Sequence, residues 1–266
     1  MPESTRVVAV AGGSVTVRTG GGGGGPALVF AHYWGGSAGT WDEVVRRLAP
    51  GRATVRFDQR GWGTSRELPG PYRLERLADD LARVAEECVT GPFVLVGHSM
   101  GGKVAQLVAA RRPAGLAGVF LVAPAPPRPP AAVTEEYREA LSHAYDSPES
   151  VGHALDQVLT AGPLPGPVRE AVVRDSLAAS DEARTEWPLR GIAQDITEAA
   201  RHIEVPVAVL AGREDKVEPP AVLRACLLPY VPHATLATVP GGHLLPLEAP
   251  EAVAGASAGF LAGLRG

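Results

Sequence analysis

A serine between two glycines, in the spacing Gly-x-Ser-x-Gly, occurs three times in the chain and could supply a nucleophile. The three serines are Ser37, Ser99 and Ser257. The pattern has chemical meaning only where a strand runs into a tight turn and then a helix, because that turn exposes the serine Oγ at the end of a sheet. Only Ser99 has this context, between an apolar run at residues 93–96 and an amphipathic stretch at residues 103–112. The sequence therefore predicts Ser99 as the nucleophile and structural roles for the other two, including helix capping by Ser37.

A serine hydroxyl is a weak nucleophile at neutral pH, so it needs a neighbouring base. Among seven histidines, His243 follows a predicted strand at residues 235–239 through a Pro-Gly-Gly loop, which places its imidazole at the carboxyl end of a sheet. His32 and His98 lie near the same edge, and we expect them to contact the pocket and shape it by hydrogen bonding. The remaining histidines are assigned to the surface or to a pocket lining: His143, His153, His202 and His233.

The elements that must position these groups alternate along the chain between strands and helices. Residues 5–10 and 14–19 predict a hairpin, and the glycines at 20–25 predict a loop. Apolar runs predict six further strands, at residues 27–31, 54–57, 93–96, 119–122, 205–211 and 235–239. Amphipathic patterns predict helices between several of them, at residues 41–48, 74–88 and 103–112. This alternation predicts an α/β fold, a mostly parallel, twisted sheet with helices on both faces.

The alternation stops at residues 124–201, where a proline-rich hinge leads into helical segments without a convincing strand. We interpret this stretch as a helical cap inserted into a core domain formed by residues 1–123 and 202–266. Candidate pocket contacts in the cap are Tyr137, Tyr145, Leu159 and Trp187. In the core, Trp34 and Trp62 could line an apolar pocket, and Trp41 is predicted to anchor its helix.

Length and composition limit the classes of protein and partner. The 266 residues, 45% of them hydrophobic, suffice for one sizeable core. A net charge of -4 without a basic run argues against nucleic acid or an anionic membrane surface as the main partner. The chain has only two cysteines, Cys88 and Cys226, which makes a disulfide framework implausible. No export signal and no membrane-spanning run is seen, so we expect a cytoplasmic protein. No spacing typical of metal ligands or dinucleotide binding is present, so neither a metal nor a cofactor is expected.

Five sequence blocks contain the candidate residues and span nearly the whole chain outside the cap. They are His32-Tyr33-Trp34-Gly35-Gly36, Asp58-Gln59-Arg60-Gly61-Trp62-Gly63-Thr64-Ser65, Gly97-His98-Ser99-Met100-Gly101-Gly102, Gly212-Arg213-Glu214-Asp215 and Gly241-Gly242-His243. In this order they closely resemble the α/β-hydrolase superfamily, particularly small serine esterases, lactonases and non-haem haloperoxidase-like members. The resemblance implies the α/β-hydrolase fold and a serine, histidine and carboxylate triad.

The third member of that triad is implied by the resemblance. Asp215 follows the strand at residues 205–211 in the Gly-x-x-Asp setting typical of the family, and would orient His243. Glu214 is an adjacent competitor. Some relatives place the acid after the earlier strand, but residues 123–126 contain no carboxylate, which strengthens the assignment of Asp215.

Acyl transfer also needs amide donors for the oxyanion. The amide of Met100, which follows the nucleophile, is expected to be one of them. Relatives commonly carry His-Gly-x in the first block, and aligning His32-Tyr33-Trp34 with that pattern implies the Trp34 amide as the second donor. Tyr33 then replaces the usual glycine, where it restricts the backbone or adds a phenol near the site. Direct donation from the Tyr33 hydroxyl to the oxyanion is an alternative.

Three charged residues near these blocks are predicted to be structural. Asp58 and Arg60 would form a turn after a strand, with Arg60 satisfying backbone or carboxylate groups. Lys103 lies just inside the helix after Ser99, where the helix dipole disfavours a cation, so we expect a nearby acidic partner.

The predicted activity is hydrolysis of a carboxylic ester or lactone, of small to medium size and moderately apolar, through an acyl-enzyme. Perhydrolase or haloperoxidase-like activity, acyl transfer and carbon-carbon bond hydrolysis use the same triad and stay open. A non-catalytic ligand-binding homologue is a third reading. The substrate and the oligomeric state are not determined by the sequence.

Overall fold

The computed structural model describes residues 3–48 and 50–264, and its strands form one eight-stranded sheet. The strands are β1 (Ser4–Val10), β2 (Gly13–Gly20), β3 (Gly23–Ala31), β4 (Arg52–Phe57), β5 (Phe93–His98), β6 (Leu116–Val122), β7 (Val207–Gly212) and β8 (Thr235–Val239). Their order is β1-β2-β4-β3-β5-β6-β7-β8, with β1 and β2 antiparallel to their neighbours and the others parallel. The predicted mostly parallel sheet is confirmed. The core-domain boundaries predicted at residues 1 and 266 lie outside the described residues.

The glycine tract departs from the sequence prediction of a loop. Gly20 ends β2 and β3 already begins at Gly23, so only the residues between them connect the strands. The amides of Gly22 and Gly23 donate to the Gly51 carbonyl at 3.0 and 2.8 Å, and the Arg52 guanidinium donates to the Gly24 carbonyl at 3.0 Å. These bonds to the segment at the start of β4 fix the extended backbone, because glycine has no side chain whose packing could do so.

Eleven helices are found in the described residues, in this order along the chain. They are α1 (Asp42–Arg47), α2 (Leu74–Cys88), α3 (Met100–Ala110), α4 (Glu135–Ser142), α5 (Pro148–Ala154), α6 (Gly166–Leu177), α7 (Asp181–Glu186), α8 (Thr197–Ala200), α9 (Pro220–Cys226), α10 (Leu245–Glu248) and α11 (Pro250–Gly263). None of them, within the ranges described, combines the length and the apolar character that crossing a membrane requires.

Helices cover both faces of the sheet, as predicted. On one face Val29 of β3 packs in a cluster with side chains of α2 and α3. On the other, Leu28 and Phe30 pack with Trp41 and with side chains of α1 and α11. Side chains alternate between faces along a strand, so burial of three consecutive β3 residues requires cover on both sides. Trp41 is fully buried at the end of a 3-10 turn (Ala38–Trp41) and anchors α1, which is two residues shorter than the helix predicted at residues 41–48.

The chain between β6 and β7 contains α4 to α8 and two π-helical turns, Leu155–Leu159 and Trp187–Gly191, and residues 124–201 include no strand. We refer to α4 to α8 and these turns as the inserted helices. They contact the loop that follows β3. The Trp34 indole donates to the Arg184 carbonyl at 2.9 Å, and its ring stacks on that of Tyr145 with centroids 4.0 Å apart.

The turn after β4 is structural, as the sequence predicts. Arg60 is buried and donates to both carboxylate oxygens of Asp80, at 2.7 and 3.0 Å. It also donates to the carbonyls of Pro69 and Ala11, at 2.6 and 2.7 Å. Asp58 accepts the amides of Ala38 and Thr64, at 2.7 and 2.8 Å. Both side chains therefore tie loops together at the edge of the sheet where the candidate site lies.

Candidate active site

Ser99 lies on a strained turn between β5 and α3. Its φ is 52° and its ψ is -118°, a conformation that costs a non-glycine residue free energy and persists only where the surroundings enforce it. Gly101 permits the close approach of this turn to the neighbouring strand. A Cβ at Gly101 would lie 2.4 Å from the Ala31 carbonyl oxygen and 2.5 Å from that of His32. The predicted strand, tight turn and helix around Ser99 are all present.

The structure brings the three predicted triad residues into one hydrogen-bonded chain. Ser99 Oγ donates to His243 Nε2 at 2.9 Å, and His243 Nδ1 donates to Asp215 Oδ2 at 2.9 Å. The other carboxylate oxygen of Asp215 accepts the amides of Val217 and Glu218, at 2.8 and 2.9 Å. Because the carboxylate can only accept, it favours the tautomer in which Nε2 of His243 accepts from Ser99 Oγ.

Asp215 is suited to remain ionised beside His243. Burial by itself would raise the pKa of Asp215, but the His243 imidazole and the amides of Glu218 and Val217 outweigh it and hold that pKa below its usual range. Its competitor Glu214 is engaged elsewhere, since its Oε2 accepts the Gly241 amide at 2.7 Å. The geometry thus distinguishes between the two adjacent carboxylates.

The loop that carries His243 is fastened to the inserted helices. The amides of His243 and Leu244 both donate to the Leu159 carbonyl, at 2.9 and 3.1 Å. The two amides of a single turn therefore share one acceptor on a π-helical turn of the insertion. The position of the imidazole depends on this contact as well as on β8.

His32 and His98 were predicted as pocket contacts, and the structure shows that neither lines the cavity at Ser99. His32 Nδ1 donates to the Tyr33 carbonyl at 2.7 Å, and its Nε2 accepts the Gln59 amide at 2.9 Å. His98 Nε2 donates to the His243 carbonyl at 2.8 Å. Both rings are turned under the loops and fully buried, which lowers the pKa of each, that of His98 to about 3. They are neutral supports of the loops, so the expectation of hydrogen bonding is confirmed and that of pocket contact is wrong.

The backbone amides of Trp34 and Met100 have no acceptor within the part of the chain that the structure describes. Met100 is the first residue of α3, and the first amides of a helix have no partner inside it. The Tyr33 ring packs against that of His98, with centroids 5.0 Å apart. This contact favours a role of Tyr33 in shaping the loop.

Ser99 and His243 open onto a cavity of about 700 Å³ between the sheet and the inserted helices. Its surface is mainly apolar. Six residues predicted to lie at the pocket border this cavity: Tyr33, Trp34, Tyr137, Tyr145, Leu159 and Trp187. Trp62 is packed in the core instead. Among the histidines of the insertion, His143 and His153 also border the cavity.

Lys103 forms no ion pair among the described residues, although the carboxyl groups of Glu218 and Asp195 are near, as the sequence predicts. Its Nζ donates to the carbonyls of Gly191 and Ile192, at 3.3 and 3.2 Å, and lies 6.0 Å from the centre of the Trp187 ring. These carbonyls end a π-helical turn and carry its partial negative charge, so they replace a carboxylate. Burial lowers the pKa of Lys103 to about 8.

Glu218 is a cavity residue that the sequence prediction missed. It is buried three residues after Asp215 and borders the same cavity as Ser99. The available signal was a carboxylate in the loop that carries the predicted acid. Acidic residues are common in loops and are mostly exposed, so the sequence alone could not show that Glu218 is buried at the cavity.

Comparison with known proteins gives a consistent family. A model described as the alpha/beta hydrolase family matches residues 28–256. The bifunctional esterase/perhydrolase of Acinetobacter calcoaceticus is 28% identical over 248 residues, which cover 86% of this chain and 88% of that protein. The 3-oxoadipate enol-lactonase 2 of Acinetobacter baylyi is 25% identical over 85% of each chain. A solved esterase from Thermogutta terrifontis, with malate bound, has a TM-score of 0.81 at 27% identity and 99% coverage of each chain.

Proposed function

The chain belongs to the alpha/beta hydrolase family, and from this premise we propose that it is a serine hydrolase that cleaves a carboxylic ester or lactone through an acyl-enzyme. Relatives named as an esterase and an enol-lactonase support this class of reaction at the level of the family. The observation that carries the proposal is the chain of hydrogen bonds from Ser99 through His243 to Asp215, each 2.9 Å long, at the wall of a cavity.

The first half of the reaction acylates Ser99. His243 Nε2 takes the hydroxyl proton as Ser99 Oγ bonds to the substrate carbonyl carbon, and the carbonyl oxygen becomes an oxyanion. The amides of Trp34 and Met100 donate to that oxyanion, and Asp215 stabilises the imidazolium. The carbon-oxygen bond to the alcohol then breaks, and the alcohol leaves with the proton from His243.

The second half restores the enzyme. His243 takes a proton from water as the water oxygen attacks the acyl carbon, and the same two amides stabilise the second oxyanion. Collapse of this intermediate breaks the bond to Ser99 Oγ, which recovers its proton from His243. The products are a carboxylic acid and an alcohol, or one hydroxy acid when the substrate is a lactone.

The inserted helices act in this scheme as a cap, which we assign to residues 124–201 on a core of residues 1–123 and 202–266. The cap closes one side of the cavity with apolar and aromatic side chains, among them Leu159 and Trp187. A cavity of about 700 Å³ with this lining accommodates a small to medium, moderately apolar molecule.

The proposal is tested with short p-nitrophenyl esters and a fluorophosphonate probe. We expect turnover and labelling of Ser99 in the wild type, and at least about a thousandfold loss of turnover with no labelling in Ser99→Ala. The matched control is Ser257→Ala, which removes the serine of another Gly-x-Ser-x-Gly copy and should retain both properties. An unlabelled wild type without esterase activity would exclude the proposal and favour a non-catalytic ligand-binding protein.

Perhydrolysis is a second candidate because the Acinetobacter calcoaceticus relative is named as both an esterase and a perhydrolase. In this reaction hydrogen peroxide replaces water or alcohol as the acyl acceptor, so an acid and peroxide give a peracid and water. Activity with acetate and peroxide, measured beside ester hydrolysis in the same preparation, separates the two. Loss of both activities in Ser99→Ala would assign them to one site.

A further inference from the structure

Glu218 is the one carboxylic acid in the cavity lining that is both buried and without a partner among the described residues. It is 4% exposed, and its carboxyl forms no hydrogen bond or ion pair with them, with Oε2 fully buried. Its backbone is fixed, since its amide donates to Asp215 Oδ1 at 2.9 Å. A buried polar group that lacks a partner carries a free-energy penalty that a ligand group can remove.

The groups around Glu218 determine its protonation state. Burial raises the pKa of Glu218 well above its usual range, the nearby Asp215 carboxylate raises it further, and the Lys103 ammonium opposes both. Lys103 forms its own hydrogen bonds with the carbonyls of Gly191 and Ile192 and makes no ion pair with Glu218. Burial and the Asp215 charge therefore favour the neutral carboxylic acid form of Glu218, which has an O–H to donate.

We infer that Glu218 is a specificity-determining residue that donates a hydrogen bond to an oxygen of the substrate remote from the scissile carbonyl. This rests on the proposed ester or lactone hydrolysis and names its substrate class more closely. The remaining cavity lining is mainly apolar, so the preferred substrate is an otherwise apolar ester or lactone with an ether, ketone or other neutral oxygen acceptor. The bond would satisfy Glu218 when substrate is bound.

The test compares matched p-nitrophenyl esters that differ in one oxygen, pentanoate against 3-methoxypropanoate, and 4-methylpentanoate against 4-oxopentanoate. For the wild type we expect kcat/KM, corrected for the rate of alkaline hydrolysis, to be about tenfold higher for the oxygenated member of at least one pair. Glu218→Gln keeps an uncharged donor and should retain the preference within about threefold. Glu218→Met has a similar length without a donor and should reduce the preference to about one.

The ratio within a pair cancels errors in the concentration of active enzyme, so general damage to a variant does not change it. If a variant does not fold, the corrected wild-type ratio alone decides, because a ratio of one in both pairs overturns the inference. A preference for the ester of 4-trimethylammoniobutanoate over the neutral esters would overturn it in favour of an ionised Glu218. Hydrolysis of none of the esters would overturn the proposed function, and the inference with it.

Discussion

Asp215 and His243 form a hydrogen-bonded pair that is almost completely removed from solvent. Their side chains are 0% and 3% exposed. In such a site a carboxylate and an imidazolium interact far more strongly than in water, while loss of the carboxylate leaves the imidazolium without compensation. The carboxylate also selects the tautomer of His243, so it acts on both the basicity and the orientation of the ring.

We predict that Asp215→Asn lowers kcat/KM for p-nitrophenyl acetate by about three to four orders of magnitude, because the amide can favour the wrong tautomer of His243. Steady-state kinetics at pH 7 measure the effect. The control is Glu214→Gln, whose amide oxygen can still accept the Gly241 amide, and we expect it to remain within about threefold of the wild type. Equal losses in both variants would contradict the assignment of Asp215.

At the scale of elements, the last glycines of two Gly-x-Ser-x-Gly copies, Gly101 and Gly259, differ in the space around them. Gly101 lies where α3 meets the loop after β3, and a Cβ there would overlap with the backbone. Gly259 lies in α11, where a Cβ would have no heavy atom within 4 Å. The same sequence pattern thus marks a required close approach in one place and a helix position open to alanine in the other.

We predict that Gly101→Ala destabilises the protein by about 1–3 kcal/mol, since backbone atoms must move to admit the methyl group. Gly259→Ala should instead stabilise it by up to about 1 kcal/mol, because alanine has the higher helix propensity. Urea unfolding followed by circular dichroism measures both. Destabilisation of similar size in the two variants would show that the contrast in packing is incorrect.

Much of the fold could be predicted from local patterns. The helix predicted at residues 74–88 is α2 (Leu74–Cys88), because its apolar positions repeat with the helical period. Ser99 was also accessible, since its strand, turn and helix are contiguous. The partners of Lys103 were not, because they lie 88 and 89 residues further along the chain. The extended glycine tract was missed for the same reason, as residues outside it supply its hydrogen bonds.

At the scale of the whole molecule, Lys103 joins α3 to the inserted helices at the cost of burying a charge. Its pKa is about 8 in the folded protein against 10.5 in the unfolded chain, so the unfolded state binds more protons between these values. Stability contributed by this site is therefore lowest below pH 8 and rises with pH up to about 10.5. The Asp195 carboxylate opposes the shift, and Glu218 does so only where it is ionised.

We predict that the free energy of unfolding of the wild type, relative to that of Lys103→Met, rises by up to about 3 kcal/mol from pH 7 to pH 10. The difference between the two free energies of unfolding cancels the contributions of titrating groups that both proteins contain. Lys216→Met is the matched control, because Lys216 is the other lysine of the chain and is exposed. A difference that falls with pH, or is equally steep for Lys216→Met, would disprove the role of the buried charge.

The Leu159 carbonyl accepts the amides of both His243 and Leu244. This contact determines which of the inserted helices protein engineering can replace. A shift of this carbonyl would move the imidazole, and a displacement of about 1 Å can cost two orders of magnitude in rate. A graft from a relative that replaces α4 alone leaves this anchor in its place. One that replaces α5 (Pro148–Ala154) does not, because α5 continues directly into the turn at Leu155–Leu159.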